Sequence, residues 1–426
     1  MHMPGAAADG AIVNPAGAAE LAWQRLAPAR WPLPPQAFPA DAALVGGAVR
    51  DVLLNRLGAA PDLDLVVAGD AIQLCRQLGR RHGGSVVVLD AERSIARLVI
   101  QGWSIDLARQ EGGSLLADLQ RRDYTINAMA LPLATPEQVV DPLGGLQHLQ
   151  RRELVAVAEG NLLDDPLRLL RGLRLAGELQ FDLAPQTQGW IAQHHAAIAA
   201  VAGERVLAEL EKLAAALQGQ RQLSQCAALG LLTPWQSDAM NATALAACST
   251  EAAETLQLTS LERDLALPLA RLAALLDGAA LARLHSSRRL QQRVDGLRRW
   301  QHRLGELAPA QAAEALPELE RLQLHRELEA DLPALLLGWD AATAQRWLKR
   351  WRDASDPLFH PRPAIDGNSL QRELGIPASP ALGQLLQHLM REQAFGRLSG
   401  HQDALNQARA WLGSAERSGE RAPRRD

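Results

Sequence analysis

The stretch LVGGAVRDVLLNRLGAAPDLDLV, Leu44 to Val66, decides the reading of this chain. It sets an apolar run, a Gly46-Gly47 turn and a helix carrying Arg50 ahead of two aspartates one residue apart. Asp62 and Asp64 alternate with Leu63 and Leu65, so in a strand both carboxylates share one face while the leucines enter a core. Two oxygen ligands on one rigid edge suit Mg²⁺, which keeps several waters and takes further oxygens from substrate phosphates. Gly46 and Gly47 let backbone N–H groups approach a triphosphate, and the helix they open adds its positive end. Arg50, on the first turn, reaches phosphate oxygens. Singly, each is an ordinary element: strand edges carry paired acids, and Gly-Gly is a common turn. In this order and spacing they point to nucleotidyl transfer, with metal ions activating a hydroxyl and steadying the leaving pyrophosphate.

Two later stretches extend the set: RRDYTINAMA, Arg121 to Ala130, and DDPLRLLRGLRLA, Asp164 to Ala176. Arg122 can donate to phosphate or sugar oxygens, and Asp123 can accept from ribose hydroxyls, which favours ribonucleotides. A surface salt bridge is the plainer alternative. Asn127 either holds this loop or contacts the nucleotide. Pro166 fits the first position of a helix with Asp165 as its N-cap, so capping is one role for that aspartate. Arg168, Arg171 and Arg174 then recur every third residue. Asp106, in the strand-like WSIDLAR, is a third carboxylate for the metals or a structural acid.

VGGAVRD, DLDLV, RRDYTINAMA, DPLGG and DDPLRLLRGLRLA, in that order between Asp41 and Leu217, resemble the class II tRNA nucleotidyltransferase family, which includes the bacterial poly(A) polymerases. The resemblance implies an α/β nucleotidyltransferase head with a small mixed sheet, followed by an all-α neck, body and tail. It implies Mg²⁺ as cofactor, tRNA and CTP or ATP as partners, and the cytoplasm as compartment. Arg122 and Asp123 are implied at the nucleotide, and Asp165 and Arg168 at the base edge. There the carboxylate accepts from the exocyclic amine of C or A, and the guanidinium donates to the adjoining ring acceptors. Arg171 and Arg174 are expected at phosphates. Tyr124 stands where the family more often has Phe, and Asp164 where it has Glu.

GERVLAELEKL, Gly203 to Leu213, resembles the family's neck helix. PAIDGNSLQRELGI with ALGQLLQHLMREQAFGRLS resembles its tail, which packs on the tRNA elbow region. No HxxxHD phosphohydrolase pattern is present. Only 16 residues, LARQEGGSLLADLQRR, separate Asp106 from Asp123. Members that build the whole CCA end usually carry a longer mobile loop there, and its shortening resembles the CC-adding subgroup. The order of expectation is therefore CC addition, complete CCA addition, poly(A) synthesis, and last a non-catalytic RNA-binding relative.

With 426 residues, 47% of them hydrophobic, the chain can bury more than one core. The divisions expected are a peripheral extension over 1–38, a catalytic head over 39–157, a helical neck over 158–220, a body over 221–350 and a tail over 351–413. The residues 414–426 read as disordered, since they lack apolar side chains beyond alanine. Cys75, Cys226 and Cys248 lie far apart without a CxxC, so neither zinc nor a disulfide framework is expected. No apolar run is long enough to span a bilayer; LALPLARLAALL is interrupted by Arg271.

The net charge of −4 hides a pattern, for 42 of the 44 basic residues are arginine. A genome rich in G and C accounts for that bias. Arg283, Arg288, Arg289, Arg293, Arg298, Arg299 and Arg303 face a single acid, Asp295, and Arg346, Lys349, Arg350 and Arg352 form a second cluster. Arg288, Arg289, Arg293, Arg299, Arg303, Lys349 and Arg350 are the candidates for neutralising tRNA phosphates. A solvated arginine face is the alternative. Trp300, Trp347 and Trp351 read as helix-packing anchors rather than stacking platforms.

Overall fold

The alternation at Asp62 to Val66 becomes the middle of a six-stranded sheet in a computed structural model that describes residues 15–58, 61–236 and 241–417. The first half of the chain runs α1 (Pro15–Leu26), β1 (Ala43–Val45), α2 (Gly47–Leu53), β2 (Leu63–Val67), α3 (Ala71–His82), β3 (Ser85–Asp90), β4 (Ile95–Ile100), β5 (Trp103–Arg109), α4 (Leu115–Gln120) and β6 (Ala130–Pro132). It continues through α5 (Gly145–Arg151), β7 (Glu153–Leu154), α6 (Glu159–Asp164), α7 (Leu167–Leu179), β8 (Asp182–Leu183), α8 (Pro185–His194) and α9 (Gly203–Ala215). Two compact units result: Met1–Glu209 with Gln225–Pro234, and Leu210–Ser224 with Trp235–Asp426.

In the first unit the sheet order is β3-β4-β5-β2-β1-β6. Only β2 and β5 are parallel; every other neighbouring pair is antiparallel. Leu63, Leu65, Leu98, Ile105 and Leu107 are buried on one face, against which α3 packs. The side chains between them, Asp64, Arg97 and Asp106, occupy the other face, as the two-residue period requires. Strand β7 falls at the start of the strand-like ELVAVA, whereas β6 and β8 have no sequence signal, because elements of two or three residues carry no readable periodicity. The pairing of β8 puts a short strand in the neck, where only helix was expected.

The extension over 1–38 is not peripheral in its described part. Ala18, Ala19, Ala22 and Leu26 of α1 are buried, as are Trp31, Leu33 and Phe38. Arg25 donates to the carbonyls of Val52 and Leu53 at 2.9 Å each, closing the C-terminal end of α2. Three alanines on one stripe permit that close packing, which an Ala-rich composition disguises as low complexity. Residues 1–14 lie outside the described residues.

The second unit is helical throughout its described residues. Helix Ser260–Leu275 buries Arg271, which donates to the carbonyls of Ala214, Ala216 and Cys248. The residue that broke an apolar run is thus a buried cap. Burial lowers its guanidinium to about 10. Helices Gly367–Leu374, Pro380–Ala394 and Gly400–Arg417 share a core of Leu370, Leu385, Leu389, Leu398 and Leu405. The last helix includes the first four residues of the segment expected to be disordered; 418–426 lie outside the described residues. Trp300 and Trp347 are buried, as expected of packing anchors, with Trp347 set edge-on to Trp339 and Phe359. Among the described residues no helix is long and apolar enough to cross a membrane.

Candidate active site

The acids stand in one row across the open face of the sheet. Asp62 is exposed just before β2, and Asp64, half-buried, lies opposite Asp106 on β5. The two-residue turn Gln101-Gly102 sets the β4–β5 register, so that Asp106 in turn lies opposite Arg97. Arg97 grips Asp106 from Nε to Oδ1 at 2.7 Å and from Nη2 to Oδ2 at 2.8 Å. The Asp64 carboxyl is pushed up to about 6, by burial above all and then by Asp106, against the pull of Arg122. The Gly46 turn closes over this row. With φ of +72°, it takes a conformation open to glycine, and a Cβ there would stand 3.2 Å from Nη1 of Arg122 and 3.5 Å from Oδ2 of Asp64.

A second series of contacts ties the helix after the turn to the later motifs. Arg50 donates to both oxygens of Asp51 at 2.8 Å and to Oδ1 of Asn127 at 2.8 Å. Asn127 donates to Oδ1 of Asp123 at 3.2 Å, and Oδ2 of Asp123 accepts from Arg171 at 3.4 Å. Glu209 of α9, 5% exposed, then faces both Arg171 at 3.7 Å and Arg174 at 2.6 Å. Arg50, Asn127, Asp123 and Arg171 are therefore one connected assembly. Arg174 departs from expectation: Glu178 and Glu209 occupy its guanidinium, each at 2.6 Å, leaving it a structural part rather than an open phosphate ligand.

Tyr124 is buried and donates to the carbonyl of Arg168 at 2.7 Å, and burial pushes its phenol well above the usual range. The hydroxyl fits only because residue 172 is glycine; a Cβ there would stand 2.1 Å from it. Where a phenylalanine would only pack, this tyrosine fixes the first turn of α7. Arg168 itself donates through Nη1 to the carbonyls of Arg121 at 3.1 Å and Asn161 at 2.7 Å. Asp165 makes only a long contact, 3.4 Å, to the Leu167 N–H, so capping is its minor role. Its other oxygen accepts from Arg205 at 2.8 Å. Burial works to raise the Asp165 carboxyl, but the bond and charge of Arg205 hold it below the ordinary range.

The short segment between Asp106 and Asp123 is pinned from within. Asp118, buried, accepts from the Glu111 N–H at 3.1 Å and from Arg122 at 2.9 and 3.2 Å. Ser114 caps α4 through the Ala117 N–H. Arg122 is thereby aimed by Asp118 at the turn and the acid row.

Among the described residues no three His, Cys, Asp or Glu side chains form a cage for a metal ion. The acid row fits an ion shared with substrate instead: the Asp64 carboxyl is raised by burial and by neighbouring Asp106, and Asp62 stands exposed beside it. In the second unit the arginine stripe is mostly neutralised. Arg293 pairs with Asp331, Arg299 with Glu327, Arg303 with Glu320, and Arg350 with Asp356. Arg288, Arg289 and Lys349 are exposed. The expectation of a continuous phosphate-binding stripe narrows accordingly.

Four contributors escaped sequence reasoning. Arg97 was recoverable, because counting back from Gln101-Gly102 places it opposite Asp106. Asp118 lies one helical turn before Arg122, a weaker signal. Arg205 and Glu209 reach Asp165 and Arg174 across 40 and 35 residues, and no local pattern announces them.

Comparison with known proteins identifies the family and the fold. Residues 42–155 match the poly A polymerase head domain, and residues 180–239 match the family described as a probable RNA and SrmB-binding site of polymerase A. The chain is 36% identical over 388 residues to the CC-adding tRNA nucleotidyltransferase of Synechocystis sp., spanning 86% of this chain and 93% of that one. It is 33% identical over 429 residues to the enzyme of that name from Thermus thermophilus, spanning 89% and 95%. In fold it resembles the Thermotoga maritima CCA-adding enzyme complexed with tRNA, with a TM-score of 0.65 at 20% identity over 87% of this chain and 91% of that one. The Bacillus stearothermophilus CCA-adding enzyme in complex with CTP gives 0.66 at 23% identity over 88% and 94%.

Proposed function

Because the chain belongs to the tRNA nucleotidyltransferase family, we propose that it is a CC-adding enzyme, transferring two cytidylyl groups from CTP to the 3′ end of tRNA and then stopping. That it is an enzyme adding nucleotides to the tRNA 3′ end follows from family membership. The number and kind of nucleotides are the proposal. The observation that carries it is the 107–122 segment, short and fastened by Asp118 to Glu111 and Arg122. A loop so held has no slack with which to reshape the pocket from C to A.

Asp62 and Asp64 are the residues that would hold Mg²⁺. When bound, it supplies charge to the triphosphate and lowers the pKa of the attacking hydroxyl. Arg122, beside Gly46 and Asp64, is the cation placed for phosphate oxygens. Asp123, oriented by Asn127 and Arg171, accepts from the ribose hydroxyls. Oδ1 of Asp165 accepts the cytosine amine while Arg205 restrains Oδ2. Arg168, with Nη1 anchored on two carbonyls, donates to the ring acceptors through its remaining N–H groups. The three cysteines are buried and unpaired, which supports a reducing compartment such as the cytoplasm.

The test is incorporation of labelled CTP and ATP, with Mg²⁺, into tRNA transcripts ending before CCA and after CC. Two C additions, and no A on the CC-ended transcript, are expected. Addition of A would make this a complete CCA-adding enzyme and overturn the inference from the fastened segment.

A further inference from the structure

Tyr124 joins two motifs that the proposed reaction uses at opposite ends of one nucleoside. Its backbone N–H donates to Oδ1 of Asp123 at 2.7 Å, on the ribose side, and its hydroxyl donates to the Arg168 carbonyl at 2.7 Å, on the base side. The ring between them is fully buried and has only two torsions to fix. Its backbone is held as well: Thr125 donates to the Val155 carbonyl at 2.9 Å and Val157 to the Asp123 carbonyl at 3.0 Å, bridging Tyr124 to Ala156. The helix end that the hydroxyl reaches is otherwise loosely fastened. Arg168 and Leu169 donate to carbonyls three residues back, at Asp165 and Pro166, rather than four. Oδ1 of Asp165 makes only its 3.4 Å contact with the Leu167 N–H, and Oδ2 is engaged by Arg205. Firm capping would tie up Oδ1, the oxygen assigned to the cytosine amine.

We propose that Tyr124 is a positioning residue whose hydroxyl holds the first turn of α7 in place of a side-chain cap, leaving Oδ1 of Asp165 uncommitted and so setting discrimination of CTP from UTP. The inference rests on the reading of Asp165 and Arg168 as the base-selecting pair. Cytosine and uracil differ where cytosine presents a donor amine and uracil a carbonyl oxygen. A carboxylate held in register accepts from the first and repels the second. Without the hydroxyl, the turn is free to tighten onto Asp165, whose Oδ1 then spends itself on the helix N–H groups. Gly172 belongs to the same device, since any Cβ there would displace the hydroxyl. An ordinary buried hydrogen bond, by contrast, contributes stability and treats both nucleotides alike.

The experiment measures kcat/KM of the full chain for CTP and for UTP, with Mg²⁺, on tRNA transcripts ending before CCA. Tyr124→Phe should lower the CTP-to-UTP ratio about five-fold, the weight of one hydrogen bond of ordinary strength. Trp31→Phe removes a different buried bond, from the indole to the Leu26 carbonyl at 3.0 Å, and serves as a destabilised control that should keep the parent ratio. An unchanged ratio in Tyr124→Phe overturns the proposal, as does an equal fall in Trp31→Phe. Arg168→Ala in the parent background separates the two readings. If it loses the preference for CTP while Tyr124→Phe keeps it, the positioning role alone falls; if it discriminates as the parent does, the base-selecting pair falls and takes the inference with it.

Discussion

Helix α7, Leu167–Leu179, and helix Arg288–Leu304 both repeat arginine at helical spacing, yet their guanidinium groups live in different surroundings. On α7, Leu167, Leu169, Leu170, Leu173, Leu175 and Leu179 are buried, so the arginines are squeezed into a narrow partly buried stripe. Their partners are parts of the site: two carbonyls for Arg168, Asp123 for Arg171, Glu178 and Glu209 for Arg174. On the second helix only Val294, Leu297, Trp300 and Leu304 are buried, and Arg299 and Arg303 keep more than half of their side-chain surface in water. Arginine spacing by itself therefore assigns no role. The width of the apolar face beside it decides whether the charge is structural, catalytic or merely solvated.

The largest expected effect lies in the acid row. Asp64→Ala should lower nucleotide incorporation by about a thousand-fold or more, since the metal's contribution to charge stabilisation is lost. Filter binding should show tRNA affinity within about two-fold of the parent. Retained incorporation would remove Asp64 from the metal-holding pair and leave Asp106 as the acid to test.

Next comes the most direct challenge to the comparison of the two helices. Glu209→Ala strips a buried carboxylate from Arg174 and Arg171, and breaking a buried pair from one side costs about 3 kcal/mol. Glu320→Ala, which releases exposed Arg303, should cost no more than about 0.5 kcal/mol. Urea denaturation of both variants checks the ratio. Equal losses would mean that burial does not separate the two arginine sets.

The sequence shows the catalytic half more clearly than it shows its supports. Strands β1 to β5, the Gly46 turn, the paired aspartates and the α7 arginines are all local patterns, because their chemistry depends on residues one to four apart. Arg205 and Glu209 act on Asp165 and Arg174 through tertiary contacts, for which sequence order sets no rule, while Asp118 acts on Arg122 from one helical turn away, a weak local signal. The surface arginines mislead for the opposite reason. Their carboxylate partners, Glu320, Glu327 and Asp331, lie on other segments, so a local count of charge finds arginines and misses the neutralisation.

Acid sharpens the contrast between the units. His325 is buried between Trp347 and Phe359, with ring centroids 4.9 and 4.1 Å away, and burial lowers its imidazole to about 3. The unfolded chain protonates this histidine below about 6.5 while the folded chain does not, so stability is whole above that value and falls as pH drops. At about 1.4 kcal/mol per pH unit, the loss reaches about 2 kcal/mol by pH 5. Asp64 acts with the opposite sign in the metal-free protein. Its folded carboxyl, at about 6, takes a proton before the unfolded one, so its contribution grows as pH falls through 6. His325→Phe should flatten the acid loss seen in urea midpoints between pH 7.5 and 5. Buried Nε2 has no hydrogen-bond partner among the described residues, so the substitution removes no bond there.

The smallest effect concerns what remains of the basic stripe. Arg288 and Arg289 are exposed on the first turn of their helix, while Arg303 on the last turn is held by Glu320 at 2.7 Å. An arginine whose charge is already answered by a carboxylate has little left to offer a phosphate, and drawing it away would first break its pair. The double reversal Arg288→Glu with Arg289→Glu should weaken tRNA binding about ten-fold at low salt and flatten the salt dependence, as loss of phosphate contacts requires. Arg303→Glu should change it by less than about two-fold, since the exposed pair contributes little in either state. Affinity measured from 50 to 200 mM salt distinguishes the two, the range over which phosphate contacts show most. Equal effects would make the whole helix face a binding surface with movable counter-ions; no effect from either would make it a solvated face, alike in sequence to α7 and unlike it in every physical respect.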